Sequence, residues 1–170
     1  MSADNARADV STAGREIAVA RLFDAPRELV WKMYTDPEHI VEWWGPRGFR
    51  TTIQEIDVRP GGHWRLVMHG PDGRDYRNHI VYVEVVPPER LAFKHVPETG
   101  TEPVRFLTTV TLEAVGNKTR VSLQMLFTSA AERDDVAKTY GAVEGLAQTM
   151  GRLKEKLSGM QSISSTEGVR

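Results

Sequence analysis

"SAAERDDVAKTYGAVEGLAQTMGRLKEKL", residues 129–157, is the stretch that decides the fold. Its apolar side chains recur three or four positions apart, which predicts one amphipathic helix. Ser129 and Glu132 have the Ser-x-x-Glu spacing of a capping box, so the helix is expected to begin at about residue 130. Running to residue 157, it would measure roughly 42 Å at about 1.5 Å per residue and could lie across a whole sheet. The apolar stripe consists of Val136, Tyr140, Val143, Ala147, Met150, Leu153 and Leu157.

The chain before this helix has the pattern of strands separated by turns. Pro26 and Pro37 each stand where a short helix can begin, because a missing N–H costs nothing in the first turn. The predicted order is therefore one strand, two short helices, six strands and the long helix. Hairpin-linked strands with helices outside them indicate an α+β fold with an antiparallel sheet. The strands are predicted at 15–23, 49–58, 63–69, 76–86, 90–96, 105–115 and 119–127.

One domain accounts for the patterned part of the chain. Residues 15–158 show no internal linker or repeat. Residues 1–14 and 159–170 are small, polar and aperiodic, so we expect both to be disordered tails.

Composition excludes several classes of function. The 22 Lys and Arg against 23 Asp and Glu give a net charge of −1, which argues against a nucleic-acid binder. The absence of cysteine excludes disulfides, thiolate nucleophiles and Cys-ligated metals. No secretory signal and no run of about 20 apolar residues are found, so we expect a cytoplasmic protein without a membrane span.

Strand alternation directs one set of side chains toward the long helix. Within that helix, Gly141 and Gly145 indicate that bulk is excluded, either because sheet backbone comes close or because space is left. Two adjacent tryptophans, Trp43 and Trp44, precede Gly45-Pro46 in a predicted loop. They either plug one end of the core or line the entrance to an apolar pocket, and the two roles are compatible. The predicted apolar lining comprises Trp44, Trp64, Met68, Phe93, Phe106, Tyr140 and Met150.

Polar groups near this lining are candidates for orienting a ligand or moving a proton. They are His79, His95 and Glu144, which adjacent strands or the facing helix could bring together. No metal site is predicted, because His63 and His69 lie six residues apart on one strand, roughly 20 Å. No motif for a cofactor or a recognised nucleophile is found, so we expect no cofactor.

Four motifs of this chain resemble a known family: "WWGPRGF" (43–49), "DVRPGGHWRLVMHGPDG" (57–73), "VVPPERLAF" (85–93) and "YGAVEGLAQTMGRLKEKL" (140–157). They resemble the single-domain bacterial relatives of the activator of heat-shock-protein-90 ATPase, within the START-like (SRPBCC, birch-pollen-allergen-like) superfamily. The resemblance implies a helix-grip fold, a curved antiparallel sheet wrapped around a C-terminal helix, with a hydrophobic ligand held between them. The eukaryotic activator has an additional N-terminal domain for chaperone contact. Nothing here corresponds to it, so chaperone contact is not implied.

Three functions follow from these observations. The first is non-catalytic binding of a small hydrophobic or aromatic molecule between the sheet and the long helix. The second is a cyclase- or hydrolase-like enzyme, which requires Glu144 paired with His79 or His95 inside the pocket. The third is contact with a chaperone or with a second copy, as a homodimer, through the outer sheet face, where Leu107 and Leu126 are apolar among polar neighbours.

Overall fold

In the part of the chain that the structure describes, eight strands and four helices form the fold. The computed structural model describes residues 9–96, 106–140 and 142–168. The helices are α1 (Arg27–Thr35), α2 (Pro37–Ile40), α3 (Ala130–Tyr140) and α4 (Ala142–Gly168). The strands are β1 (Asp9–Ala13), β2 (Glu16–Phe23), β3 (Arg50–Ile56), β4 (His63–His69), β5 (Asp75–Val86), β6 (Arg90–Val96), β7 (Phe106–Val115) and β8 (Lys118–Phe127).

The strands form one sheet in the order β1-β2-β8-β7-β6-β5-β4-β3, and every neighbouring pair is antiparallel. The predicted α+β class with a curved antiparallel sheet and a C-terminal helix is therefore confirmed. Helix α4 packs against β1 and β2, while α1 packs against β7 and β8. One face of the sheet, which we call the inner face, carries the core.

Turn chemistry sets the register of the β7–β8 hairpin. Gly116 and Asn117 connect Val115 to its partner Lys118, and Gly116 has a φ of 63°. A two-residue hairpin turn needs positive φ, which glycine adopts without steric cost. This register places Val110 opposite Leu123, and both are buried. The alternation predicted for these two strands is confirmed.

The predicted long helix forms as α3 and α4, on either side of Gly141, which lies outside the described residues. Its start is as predicted: the backbone N–H of Glu132 donates to Ser129 Oγ at 3.1 Å. Ser129 thus accepts from one of the N–H groups that the first turn leaves unpaired. Val136, Met150, Leu153 and Leu157 of the predicted stripe are buried.

Both chain ends differ from the expectation of disorder. Residues 9–13 form β1, which pairs with β2 from Asp9↔Ala20 to Ala13↔Glu16. An edge strand gains its hydrogen bonds from backbone groups, so its polar sequence shows no apolar pattern. Its one local signal is Gly14, which has a φ of 55° in the two-residue turn into β2. Helix α4 continues to Gly168 because no proline interrupts it and each added residue adds one hydrogen bond.

Candidate functional site

A row of side chains crosses the inner face of the sheet. Residues directly opposite each other on paired strands share a face, and the register joins five of them from β4 to β8. Four of the five are aromatic rings, which is an unusual concentration on one line. We call this set the aromatic row: Trp64, Ile80, His95, Phe106 and Phe127.

Ring contacts connect the members of the aromatic row. The rings of His95 and Phe106 are stacked with centroids 4.2 Å apart, and Phe106 lies 5.0 Å from Phe127. Phe93, a neighbour of the row on β6, lies 6.0 Å from His95 and 6.1 Å from Tyr82. Aromatic pairs at these distances attract one another beyond simple burial. His95, Phe106 and Phe127, together with Phe93, thus form a continuous aromatic surface on the inner face.

The two loop tryptophans have different surroundings. Trp43 is fully buried, lies 4.8 Å from the ring of Tyr34, and donates from Nε1 to the carbonyl oxygen of Met33 at 3.0 Å. Trp44 is half-buried, and its ring lies 4.8 Å from that of Trp64 in the aromatic row. Trp43 therefore has the contacts of a plug that closes the core. Trp44 extends the aromatic surface toward solvent.

Helix α4 holds the loop that carries these tryptophans. We call residues 42–47 the Trp loop. The guanidinium of Arg152 donates four hydrogen bonds of 2.9–3.2 Å to backbone carbonyl oxygens of this loop. Its rigid planar fork suits several carbonyl acceptors at once. The acceptors belong to Glu42, Trp44, Gly45 and Pro46.

Further polar contacts hold the Trp loop to α4. Arg47 forms a two-bond ion pair with Glu155, and the backbone N–H of Arg47 donates to Gln148 Oε1 at 3.0 Å. Lys156 pairs with the carboxylate of Glu42. The hydrogen bond from Arg47 holds the pKa of Glu155 below its ordinary value. Burial, and then the charge of Arg47, lower the pKa of Arg152, whose guanidinium stays charged at neutral pH.

The helix glycines make room for this loop. A Cβ at Gly145 would lie 3.3 Å from Pro46 Cγ, and one at Gly151 would lie 3.0 Å from Arg47 Nη2. The sequence left two explanations for Gly145, close sheet backbone or free space. The structure shows a third, because the Trp loop packs there. Gly141 lies outside the described residues.

Six of the seven predicted lining residues, and the polar candidate His95, are buried or half-buried. Trp64, Phe93 and Met150 are buried with 1%, 3% and 1% of their surface exposed. The side chain of Tyr140 lies outside the described part of the chain. The half-buried residues are Trp44, Met68, His95 and Phe106, which we call the open strip.

The prediction that His79 faces the pocket is wrong. His79 pairs with Arg65, while its neighbour Ile80 pairs with the inward-facing Trp64, so His79 lies on the outer face. There its Nε2 lies 2.7 Å from Nδ1 of His63, and the two rings are stacked. The signal was available in the sequence. Ile80 and Tyr82 share the apolar parity of this strand, and His79 has the other parity.

The prediction that Glu144 lies in the pocket is also wrong. Its side chain is exposed, and its carboxylate accepts a hydrogen bond from Gln148 Nε2 at 3.2 Å. The i, i+4 spacing joins these two residues along the helix surface. With Glu144 in solvent and His79 on the outer face, the acid–base pair that the enzyme hypothesis requires between them is not formed.

Other polar side chains are linked on the outer face near β3. Thr52 Oγ1 lies 3.0 Å from His69 Nε2, and His69 Nδ1 lies 2.7 Å from Asp75 Oδ1. The order hydroxyl, imidazole, carboxylate is that of a catalytic triad. The Asp75 side chain, however, is 60% exposed on an open sheet surface, and such a site neither excludes water nor encloses a substrate. We assign this chain of contacts to joining β3, β4 and β5.

Among the described residues 9–96, 106–140 and 142–168, no group of three or more His, Cys, Asp or Glu side chains could hold a metal ion. No helix there is long and apolar enough to cross a membrane.

Leu107 and Leu126 pair across β7 and β8 on the outer face and are half-buried.

Burial of two tyrosines gives the fold a pH dependence. Tyr34 and Tyr82 are each 2% exposed, and burial raises the pKa of both phenols well above the ordinary value of 10.0. Below pH 10.0, the folded and unfolded states both keep the protons. Above it, the unfolded state loses them and the folded state does not, so stability falls as pH rises.

We expect the free energy of unfolding to fall above pH 10 by about 1.4 kcal/mol per pH unit for each buried tyrosine. Urea unfolding from pH 8 to pH 11 measures this slope. Tyr34→Phe should reduce this slope by about 1.4 kcal/mol per pH unit, the contribution of one tyrosine. The double variant Tyr34→Phe, Tyr82→Phe should reduce it by twice that amount. An unchanged slope in both variants would contradict the assignment.

A curved antiparallel sheet that encloses a C-terminal helix, with an aromatic inner face, defines a helix-grip protein of the START-like class. Residues 24–158 match the family described as "Activator of Hsp90 ATPase homolog 1-like protein". Because this match spans most of the chain, the chain belongs to that family. No curated protein matches the chain.

Solved bacterial structures share the fold. A protein from Arthrobacter aurescens is 26% identical with a TM-score of 0.81, covering 89% of this chain and 91% of that one. A protein from Mycobacterium smegmatis is 25% identical with a TM-score of 0.77, covering 88% and 95%. A protein from Nitrosomonas europaea is 25% identical with a TM-score of 0.76, covering 86% and 96%. The predicted START-like membership is confirmed.

Proposed function

We propose that this protein binds a small hydrophobic or aromatic molecule between the inner sheet face and helix α4, without catalysing a reaction on it. The observation that carries the proposal is the open strip. Its side chains adjoin fully buried rings, such as Trp64 and Phe93, yet they remain partly uncovered. An apolar molecule that covers them removes this surface from water, which stabilises the complex by about 25 cal/mol per Å².

The contents of the strip favour an aromatic partner. Trp44 and Phe106 offer ring faces and edges, and Met68 offers a flexible thioether that adapts to irregular shapes. Across from the sheet, Val143 and Leu146 of α4 are half-buried as well. Both walls of the proposed site are thus mainly apolar, with His95 as a polar anchor, as in small-molecule sites generally.

The proposal includes no metal and no cofactor, and it places the protein in the cytoplasm. Self-association and chaperone contact through the outer face stay predictions. No observation favours them, because the large apolar side chains that are strongly exposed in the described part of the chain are Val83 and Val115 alone.

Mass spectrometry of small molecules that co-purify with the protein tests the proposal. We expect the native chain to yield a hydrophobic compound that Phe106→Gln does not retain, since glutamine places an amide in the open strip. Val83→Gln, on the exposed surface, is the matched control and should retain it. Thermal unfolding confirms that both variants fold.

A negative result needs two parts. If no compound co-purifies, calorimetric titration of the purified protein with a panel of aromatic and aliphatic metabolites follows. Absence of saturable binding in the panel, together with an empty extract, would overturn the proposed function.

A further inference from the structure

We propose that the bound molecule carries an uncharged hydrogen-bond acceptor, a carbonyl or ether oxygen, that pairs with the indole N–H of Trp64. This inference rests on the proposed function and defines the chemical class of its ligand. It follows from one donor in the aromatic row that the described protein groups leave unused.

Two buried tryptophans of this core differ in one respect. Trp43 and Trp64 are 0% and 1% exposed, so neither indole reaches bulk water. Trp43 Nε1 donates to the carbonyl oxygen of Met33 at 3.0 Å. Trp64 Nε1 is buried and has no hydrogen-bond partner among the described residues. A buried donor without an acceptor costs about 1–3 kcal/mol, and an indole can only donate. The missing group must therefore be an acceptor.

The ring of Trp64 adjoins the proposed site, but its Nε1 is enclosed, so a ligand's acceptor reaches this donor only when a neighbouring side chain moves aside. The Trp64 ring contacts the half-buried Trp44 with centroids 4.8 Å apart. Along the aromatic row, His95 lies two strands from Trp64 and Phe106 lies three strands away. At about 4.8 Å per strand these separations are roughly 10 and 14 Å. A ligand of two fused rings, shorter than either separation, covers the part of the open strip nearest Trp64 and places its acceptor at that donor.

Neither the guanidinium of Arg21 nor that of Arg152 is placed to pair with an anionic acceptor at Trp64. A carboxylate buried beside Trp64 would need a cation to offset its desolvation. Arg21 lies on the inner face, but it pairs with Val121, six residues along β8 from Phe127, about 20 Å from the row at 3.3 Å per residue. The guanidinium of Arg152 is committed to four loop carbonyl oxygens. An uncharged acceptor is the one that this environment stabilises.

Three naphthalenes of similar size test the inference. 2-Acetylnaphthalene carries a carbonyl oxygen, 2-isopropenylnaphthalene has CH₂ in its place, and 2-naphthoate carries a carboxylate. Each is titrated by calorimetry into the native protein, Trp64→Phe and the control Trp31→Phe, which changes a half-buried tryptophan of α1.

We expect Trp64→Phe to weaken the ketone about tenfold more than the hydrocarbon, since phenylalanine keeps a ring but removes the donor. Trp31→Phe should change the affinities for the ketone and the hydrocarbon by the same factor. The carboxylate should bind the native protein more weakly than the ketone. Equal losses of ketone and hydrocarbon affinity in Trp64→Phe, or tightest binding of the carboxylate, would overturn the inference while leaving the proposed function intact. If none of the three binds the native protein, the inference fails, while the proposed function is decided by the extract and the metabolite panel.

Nuclear magnetic resonance of the native protein avoids any question of how the variant folds. The indole ¹H–¹⁵N signal of Trp64 should move downfield on addition of the ketone and far less with the hydrocarbon. The signal of Trp43, whose donor is already paired, serves as the internal reference. A Trp64 signal that responds equally to both compounds would contradict the assigned hydrogen bond.

Discussion

Replacing Arg152 with methionine is expected to lower the free energy of unfolding by about 2–4 kcal/mol. Methionine keeps the aliphatic part of the side chain but removes four hydrogen bonds to backbone carbonyl oxygens of the Trp loop. The carbonyl oxygens of Trp44 and Pro46 each keep a second donor, Thr51 Oγ1 and the N–H of Phe49. The loop would then be held to α4 only by its contacts with Gln148, Glu155 and Lys156, and Trp44 would be less firmly fixed against Trp64. Urea unfolding measures the stability, and hydrogen exchange of the residue 43–49 amides measures the release of the loop.

Arg47→Met is the matched control for this change. The side chain of Arg47 is 51% exposed and its partner Glu155 is 64% exposed, and surface ion pairs of this kind contribute about 0–1 kcal/mol. The control should therefore lose much less stability than Arg152→Met. Equal losses in the two variants would show that the loop is held by charge in general and not by the carbonyl contacts of Arg152.

Replacing Gly62 with alanine is expected to cost about 3 kcal/mol or more, because the added methyl group has nowhere to go. Its Cβ would lie 1.9 Å from the carbonyl oxygen of Asp57. Gly62 cannot move aside without breaking two backbone hydrogen bonds. Its carbonyl oxygen accepts from the N–H of Tyr82 at 3.0 Å, and its N–H donates to the carbonyl oxygen of Arg59 at 2.8 Å. Denaturant unfolding measures the loss.

The adjacent Gly61 provides a control with a different cost. A Cβ there meets no atom within 4 Å, but the residue has a φ of 83°. Alanine at Gly61 should therefore cost about 1–2 kcal/mol, from backbone conformation alone. If Gly61→Ala proved more damaging than Gly62→Ala, the steric argument for the turn before β4 would be wrong.

The sequence was sufficient for most of the fold because the deciding signals are local. Turn residues such as Gly116-Asn117 separate the strands, and alternation within each strand selects its buried face. Pro26 stands at the start of α1, as predicted, and is the N-cap residue of that helix. Strand β1 was missed because an edge strand needs no apolar pattern to pair with β2, and Gly14 alone marks the turn between them.

The site was less accessible from sequence, for two different reasons. His79 could have been assigned to the outer face, because parity counted from Ile80 and Tyr82 decides it. The attachment of the Trp loop could not have been found in this way. The acceptors of Arg152 are backbone carbonyls more than one hundred residues away. Because every residue has a backbone carbonyl, residue identity does not show which of them accept a hydrogen bond. The same applies to Trp64, since an absent acceptor is visible only in three dimensions.

The three linked tryptophans also have an optical consequence. The rings of Trp43 and Trp44 are 5.7 Å apart and those of Trp44 and Trp64 are 4.8 Å apart, each pair inclined by more than 60°. The electronic transitions of indoles at these distances and angles couple, so that each excited state is shared by the three rings. Folded protein should therefore show an exciton couplet in its ultraviolet circular dichroism. The couplet would disappear if the Trp44 ring moved out of contact with Trp43 and Trp64.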